Sequence, residues 1–357
     1  MVGHIALKAT GLPILNNVLL KAEKNTLTLV ATNLEAGIQH SVRGKIEEDG
    51  ECLVPARLLL DLLPLLPGGP LTLEGDTQGL TLTTDNGKTT LRTTPTSDFP
   101  IVPTLEQTSQ TITASRQAIV DAIGATSFAV GRVEQRPQFS GVFMTTKGKT
   151  ITFVATDGYR LAEATVGLKK LGNMISHIVP FTTVQEVARM LQIPDQDDDV
   201  VITTTENQIH FACGATQVTS RLIDGSYPDY LPLFPEKPTT VCQAAKSELI
   251  RAVKSANLFS HAGMADVTLS IVSGASALEV CAENTEVGAH RMKISSQGSG
   301  AAVAITLNAR YLIDGLGATH GASVTLSLTS ADRPLLLTPA EKSQTLSYRY
   351  LLMPIRQ

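Results

Sequence analysis

Residues 154–162 read Val154-Ala155-Thr156-Asp157-Gly158-Tyr159-Arg160-Leu161-Ala162. The residues just before them, Thr150-Ile151-Thr152-Phe153, alternate small polar with large apolar side chains, which is the period of a half-buried strand. Asp157-Gly158 supplies turn chemistry, and a second strand is expected after it. The same phrase occurs twice more. Thr26-Leu27-Thr28-Leu29-Val30-Ala31-Thr32-Asn33 runs into a turn in the same way, and Ala277-Leu278-Glu279-Val280-Cys281-Ala282-Glu283-Asn284 is a weaker copy. Ala31 and Ala155 are 124 positions apart, and Ala155 and Ala282 are 127 apart.

Two further landmarks keep step with this one. Leu53-Val54-Pro55 precedes a helical run over 56–63, Ile178-Val179-Pro180 precedes one over 181–191, and Ile305-Thr306-Leu307 precedes one over 308–316. Asp98-Phe99-Pro100, Ser226-Tyr227-Pro228 and Leu352-Met353-Pro354 close the copies at spacings of 128 and 126. Three landmarks on one period divide the chain into domains at 1–105, 106–235 and 236–357, joined at the Pro/Thr-rich stretches 100–111 and 232–240. Each domain reads as strands, helix, strands, helix, strands. The fold class is therefore α+β: three tandem copies of one domain, each with two helices against antiparallel sheets. A period near 125 is a whole domain rather than a solenoid repeat. Tandem copies suit an extended scaffold, or an arc that closes into a ring by self-association.

Composition narrows the function. The chain has 357 residues, 43% hydrophobic and 17% charged, enough for real cores. There is no Trp, so Leu, Val, Ile, Ala and Thr must do most of the packing. A formal charge of −4 argues against holding nucleic acid by bulk positive charge. The apolar stretch 53–71 is broken by Arg57, Asp61 and four prolines, so it does not span a bilayer as one helix. Met1-Val2-Gly3-His4-Ile5 has no basic region followed by an apolar run, so no signal peptide, no membrane partner and a cytoplasmic location are expected.

Catalytic chemistry is not expected, and neither is a metal or a cofactor. Gly87-Lys88-Thr89 and Gly148-Lys149-Thr150 echo the end of a phosphate loop, but Leu82 and Phe143 stand where its first glycine belongs, so both read as hairpin turns. Gly315-Leu316-Gly317-Ala318-Thr319-His320-Gly321 is one residue off a dinucleotide fingerprint and follows a helix; it reads as a helix C-cap and loop. Asp195-Gln196-Asp197-Asp198-Asp199 reads as a solvated acidic loop rather than a cation site. Cys52, Cys213, Cys242 and Cys281 form no CxxC and read as reduced, buried core residues. An enzyme using Asp157 or Cys213 would lack any paired base.

Taken in order, certain segments resemble one family. They are Leu12-Pro13-Ile14-Leu15-Asn16-Asn17-Val18-Leu19-Leu20, the 154–162 stretch, Leu222-Ile223-Asp224-Gly225-Ser226-Tyr227-Pro228-Asp229-Tyr230 and Tyr350-Leu351-Leu352-Met353-Pro354-Ile355-Arg356. Over nearly the whole chain they look like the bacterial DNA sliding clamps, the beta subunits of DNA polymerase III. The resemblance implies three clamp domains per chain. It implies a homodimer closed head to tail around duplex DNA, helices inside and sheets outside, without sequence preference. It implies no catalysis: the ring tethers the replicative polymerase subunit and raises processivity, and a loader ATPase opens it. Polymerase, clamp loader and repair polymerases would insert Leu/Phe-bearing peptides into a pocket between domains two and three. A peptide-binding scaffold that no longer encircles DNA is the alternative.

By the same resemblance the pocket walls are Phe139, Thr156, Gly158, Tyr159, Arg160, Leu161, Pro228, Leu233, Tyr311, Pro334, Leu351, Leu352, Met353, Pro354 and Arg356. The chemistry agrees. Leu161, Leu233, Leu351 and Met353 supply an apolar slot, and Arg160, Tyr159 and Arg356 offer polar handles at its rim. Burying one Leu and one Phe contributes roughly 1.5–3 kcal/mol each, in keeping with micromolar affinity near about −8 kcal/mol. Pro232 departs from the pattern, since many relatives carry a basic residue there, which weighs against a charged contact to the peptide at that rim. DNA-facing candidates are Arg57, Arg116, Arg189, Arg251, Lys254 and Arg310 on helices, with Arg132 and Arg136 on a loop. For the dimer, the resemblance sets Leu258 and Phe259 against the strand at 89–91, with Thr89 and Leu91.

The first domain starts late. With Pro13 aligned to Pro137, it has 12 residues where the second has 26, so a first strand and most of a first helix have no counterpart to the strand 111–114 and the helix 115–128. Ser115 reads as the N-cap of that helix. A gene start assigned too late, a shortened chain or a diverged clamp would each give this. Apolar sheet surface in domain one should be uncovered, and the chain should be less stable than a longer one.

Overall fold

The computed structural model describes residues 2–9, 11–76, 78–102, 111–132, 136–170, 172, 174–194, 197–261 and 263–355. The first repeat carries α1 (Gly3–Leu7), β1 (Asn17–Glu23), β2 (Thr26–Thr32), β3 (Ala36–Arg43), β4 (Gly50–Pro55), α2 (Ala56–Leu62), β5 (Thr72–Gly75), β6 (Leu80–Thr84) and β7 (Gly87–Leu91). The second carries β8 (Thr111–Ser115), α3 (Arg116–Thr126), β9 (Gly141–Lys147), β10 (Thr150–Thr156), β11 (Arg160–Lys170), β12 (Ser176–Pro180), α4 (Phe181–Leu191), β13 (Asp199–Thr204), β14 (Gln208–Cys213) and β15 (Thr216–Arg221). The third carries β16 (Thr240–Ala245), α5 (Lys246–Asn257), β17 (Asp266–Ile271), β18 (Ala277–Asn284), β19 (Gly288–Gly300), β20 (Val303–Asn308), α6 (Ala309–Ala318), β21 (Ser323–Leu328), β22 (Leu335–Pro339) and β23 (Leu346–Leu352). The order strand, helix, four strands, helix, three strands holds in the second and third repeats, and the described residues of the first give helix, four strands, helix, three strands. In the first repeat the leading helix spans five residues, against eleven and twelve in the others.

The strands form because Thr, Val, Leu and Ile alternate along them, and each hairpin places its apolar set on one face. The helices start where the alternation stops. In α4, Val184, Val187, Met190 and Leu191 repeat at helical spacing and are buried. Asn308 caps α6, its side chain accepting the amides of Arg310 and Tyr311 at 3.0 and 3.2 Å.

The described residues fall into two compact units. The first holds an antiparallel sheet in the order β4-β1-β2-β3-β15-β14-β13-β8 and a smaller sheet β5-β6-β7. Its repeats join at the β3–β15 pair, with Ala36 opposite Ser220 and Ile38 opposite Val218. An apolar cavity of about 240 Å³ lies among Val2, Val18, Leu29, Leu59, Leu60 and His40. Lys8, the C-cap of α1, reaches the buried Glu186 carboxylate of α4 at 3.1 Å.

The second unit orders its strands β12-β9-β10-β11-β23-β22-β21-β16-β19. The first half of β19 continues into a sheet β19-β18-β17-β20. Repeats two and three join at the β11–β23 pair.

Some sequence expectations shift. Gly315 and Gly317 lie inside α6 rather than in a cap and loop, and Thr319 is the C-cap. Packing overrides the helix-breaking tendency of glycine here. A Cβ at Gly315 would lie 2.4 Å from the Tyr350 ring, so only glycine lets the helix sit against it. Cys213 and Cys242 are buried, but Cys52 and Cys281 are only half-buried, and all four are free thiols. The Gly87 and Gly148 motifs lie in the β6–β7 and β9–β10 hairpins. Asp195 and Gln196 lie outside the described residues, Asp198 accepts the Arg116 amide at 2.8 Å, and Asp199 pairs with Lys169. Among the described residues no helix is long and apolar enough to cross a membrane, and no group of three or more His, Cys, Asp or Glu gathers to hold a metal.

Candidate peptide-binding site

The β11–β23 joint positions the site. Strand geometry sends successive side chains to opposite faces. On one face, Leu161 opposes Leu351, which opposes Leu336 on β22, and Leu161, Leu351 and Val154 form a buried cluster. Over this face lies the segment 227–234, whose Tyr227, Tyr230 and Phe234 pack on the cluster together with Phe143. Tyr227 stacks on Phe143 at 4.7 Å and meets Phe139 edge-on at 6.0 Å.

The floor is closed and the rim is open. Leu161 and Leu351 are 4% and 2% exposed, whereas Tyr159, Leu233 and Met353 are 65%, 48% and 37% exposed. Large apolar groups left in water around a buried apolar floor mark a ligand groove. Pro228 is exposed, Pro334 and Pro354 are half-buried, and Phe139 is buried. Main-chain bonds fix the far rim: Met353 N donates to Tyr159 O at 2.9 Å, and Ile355 N to Thr306 O at 2.8 Å.

Two of the expected wall residues face the other way. Leu352 and Arg160 are register partners on the opposite face from Leu351 and Leu161, as the period of two requires. Leu352 is 1% exposed and lies opposite Leu335. Arg160 is no free handle at the rim: its side chain is 10% exposed and is fully engaged inside. Its Nε donates to Asp157 Oδ2 at 2.9 Å, Nη1 to Asp314 Oδ2 at 2.6 Å and Nη2 to Phe128 O at 2.7 Å. The guanidinium also lies 4.2 Å from the Tyr311 ring centroid. One side chain thus ties the β10–β11 turn to the end of α3 and to α6. Tyr159 remains as an exposed polar handle, and Arg356 lies outside the described residues.

The turn holds itself in shape. Thr156 Oγ1 donates to Arg160 O at 2.6 Å and accepts the Gly158 amide at 3.0 Å, while Asp157 Oδ1 accepts the amides of Tyr159 and Arg160. Beneath it, Tyr350 Oη donates to Tyr311 O at 2.8 Å, and burial pushes the Tyr350 hydroxyl well above the ordinary phenol range. Asp157 is therefore occupied by the turn and Arg160. Cys213 is buried, which raises its thiol pKa, and its Sγ donates to Asp197 O at 3.3 Å; neither residue is poised for catalysis.

Sequence reasoning missed Glu163, Asp314, Tyr230, Phe234 and Arg349. One signal was available: all six tyrosines of the chain, at 159, 227, 230, 311, 348 and 350, belong to this neighbourhood.

The basic candidates differ in their engagement. Arg57 pairs with Asp61 on α2, and Arg189 pairs with Glu186 on α4. Arg116 donates to the Leu191 and Ile193 carbonyls at 3.4 Å, closing the end of α4. Arg132, Arg251, Lys254 and Arg310 are exposed, and so is Arg136, which lies 5.4 Å from the Phe139 ring centroid. Of the expected dimer residues, Leu258 is 76% exposed and Phe259 stacks on His290 at 5.6 Å. Thr89 is half-buried on β7, while the Leu91 side chain is 2% exposed and faces inward.

Known proteins resemble this chain along its length. The N-terminal, central and C-terminal domains of the DNA polymerase III beta subunit match residues 2–103, 113–229 and 232–356. A beta sliding clamp of Streptomyces coelicolor is 30% identical over 354 residues, covering 96% of this chain and 92% of that one. Another from Pseudomonas aeruginosa is 29% identical, covering 100% and 96%. A solved Pseudomonas aeruginosa sliding clamp bound to griselimycin superposes with a TM-score of 0.92 at 28% identity, covering 100% of this chain and 95% of that one. With three matching domains in order and relatives aligned along nearly its whole length, this chain belongs to the DNA polymerase III beta-subunit family, the beta sliding clamps.

Proposed function

We propose that this chain is a processivity clamp, a non-catalytic ring that tethers DNA polymerase III to duplex DNA. Membership of the sliding-clamp family supports the activity. The observation that carries partner binding is the slot at the β11–β23 joint, with its buried Leu161 and Leu351 floor and its exposed Tyr159, Leu233 and Met353 rim. Replicative polymerase, loader and repair polymerases would each insert a Leu/Phe-bearing peptide there, in the cytoplasm, and would exchange by competing for one site. Two chains would close head to tail, the Leu258–Phe259 end of α5 meeting the β7 edge of the partner. A topological link then holds DNA without a strong grip, which suits a net charge of −4 and the partly self-neutralised arginines on the helices.

Two measurements test this. Calorimetric titration with a Leu/Phe-bearing peptide should give micromolar binding that Met353→Asp abolishes; no binding by the unchanged chain would refute the slot. Light scattering over a dilution series should give twice the chain mass, and a monomer would refute the ring.

A further inference from the structure

A second cluster lies beside the slot without lining it. Glu163 on β11 and Arg349 on β23 are register partners, and Arg349 donates Nε and Nη2 to Glu163 Oε1 at 2.7 and 2.6 Å. Glu163 is 6% exposed, a burial that a carboxylate tolerates only when it is paired. The same guanidinium lies 3.8 Å from the Phe234 ring centroid, and burial together with the charge of the Glu163 carboxylate raises the Tyr230 hydroxyl above the ordinary phenol range. Tyr230 and Phe234 meet edge to face at 6.3 Å.

These two aromatics bracket the single turn Leu231–Leu233, closed by Leu233 N to Tyr230 O at 3.1 Å and Phe234 N to Leu231 O at 3.2 Å. No residue of that turn is buried, so it has no core of its own and its place is set by what grips its ends. Leu233 sits inside the grip and forms the slot's near rim.

We propose that Glu163 and Arg349 are positioning residues of the slot: by holding Phe234, with Tyr230 packed against it, they fix the turn that carries Leu233 and preform the wall against which a peptide's apolar anchor closes. The inference rests on the peptide reading of the slot. Its physical content is preorganisation: a wall already in place spares the complex the cost of ordering it. The rival is that the pair only adds stability. The two separate because a buried ion pair can be replaced by apolar side chains with little or no loss of stability, whereas the guanidinium's hold on the Phe234 face would be lost.

The test uses the full chain, unchanged and as Glu163→Gln, Arg349→Met and the double variant Glu163→Leu/Arg349→Met. Melting temperature, amide hydrogen exchange at residues 230–236 without peptide, and calorimetric affinity for a Leu/Phe-bearing peptide are measured on each. The double variant is expected to melt at or above the unchanged chain, to exchange the Leu233 and Phe234 amides faster, and to bind peptide about tenfold more weakly, the cost of ordering one or two side chains. Unchanged exchange would overturn the proposal, and so would unchanged affinity in the double variant. If the unchanged chain binds no peptide, the peptide reading fails, while the exchange rates still decide whether the pair holds the turn.

Discussion

The turns between β2 and β3 and between β10 and β11 close through the same hydrogen bonds. Thr32 Oγ1 donates to Ala36 O at 2.9 Å and accepts the Leu34 amide at 3.1 Å, and Asn33 Oδ1 accepts the amides of Glu35 and Ala36. Thr156, Gly158, Asp157, Tyr159 and Arg160 take those roles in the second turn. The strand that pairs alongside reports to each turn identically: Arg221 N donates to Glu35 O and Met353 N to Tyr159 O, both at 2.9 Å. The difference lies in the two residues that follow. After the first turn come Ala36 and Gly37, and Val102 fills the space so closely that a Cβ on Gly37 would lie 2.5 Å from it. After the second come Arg160, which turns inward to Asp314 of α6 and the Phe128 carbonyl, and Leu161, which packs with Leu351 and Val154 beneath Tyr227, Tyr230 and Phe234. One backbone device therefore serves two joints that differ in the side-chain volume and charge of the two residues after the turn.

The largest effect should come from giving the second turn the residue of the first. Arg160→Ala strands Asp157, whose side chain is 14% exposed, and removes the tie to Asp314 and the Phe128 carbonyl. A loss of about 3 kcal/mol is expected, the low end for breaking a buried pair because Asp314 is partly exposed and can rehydrate. Urea denaturation measures it. An unchanged midpoint would mean that the turn alone sustains the joint, and the comparison would break.

The joints also differ in their response to acid. Near the first, His40 bonds Thr216 at 2.8 Å across β3 and β15, and His210 bonds Thr219 at 2.7 Å across β14 and β15. Burial lowers His40 and pushes His210 down to about 4. The native state thus keeps His210 neutral while an unfolded His takes up a proton below about pH 6.5. Stability should therefore fall as pH drops from about 6.5 to about 4, by on the order of 3 kcal/mol from His210, with no contribution from it at higher pH. His210→Gln, which keeps a hydrogen-bonding side chain without the titration, should flatten that part of the loss. Equal acid sensitivity in the variant, read from unfolding at pH 7 and pH 4.5, would remove His210 from the account.

A smaller test separates the slot's helix layer from helix propensity. Gly315→Ala drives a Cβ into the Tyr350 ring and should cost about 1–3 kcal/mol, as overpacking does. Gly317→Ala, two residues on, meets nothing within 4 Å and should stabilise α6 by about 1 kcal/mol. Thermal melts that move the two variants in the same direction would show that the Tyr350 contact does not set the helix.

These residues also show how far the sequence reaches. Thr150 to Phe153 announced a strand, residues 181–191 a helix, and Asp157-Gly158 a turn, because each is a local pattern with a local cause. The facing of Leu352 and Arg160 was legible too, since alternation along β11 and β23 sets it once the register is known. Gly315 was misread because propensity is local while the Tyr350 ring arrives from 35 positions away. Glu163 and Arg349 are 186 apart, and Arg160 and Asp314 are 154 apart. No periodicity connects such pairs, and only the sheet joint brings them together.

The smallest effect isolates the backbone. Leu34 holds φ at +75° and Gly158 at +89° at the same position of the two turns. The left-handed region costs a side-chain-bearing residue roughly 1–2 kcal/mol, which glycine escapes, although glycine also gives the unfolded chain more freedom. Leu34→Gly should therefore stabilise the first turn by less than about 1 kcal/mol. Gly158→Leu should destabilise the second by about 1–2 kcal/mol through strain alone, since a Cβ there meets nothing within 4 Å. If Gly158→Leu instead melts like the unchanged chain and still loses peptide affinity, the glycine is kept for the ligand's approach rather than for the turn. The matching hydrogen bonds of the two turns would then hide a position selected for binding in only one of them.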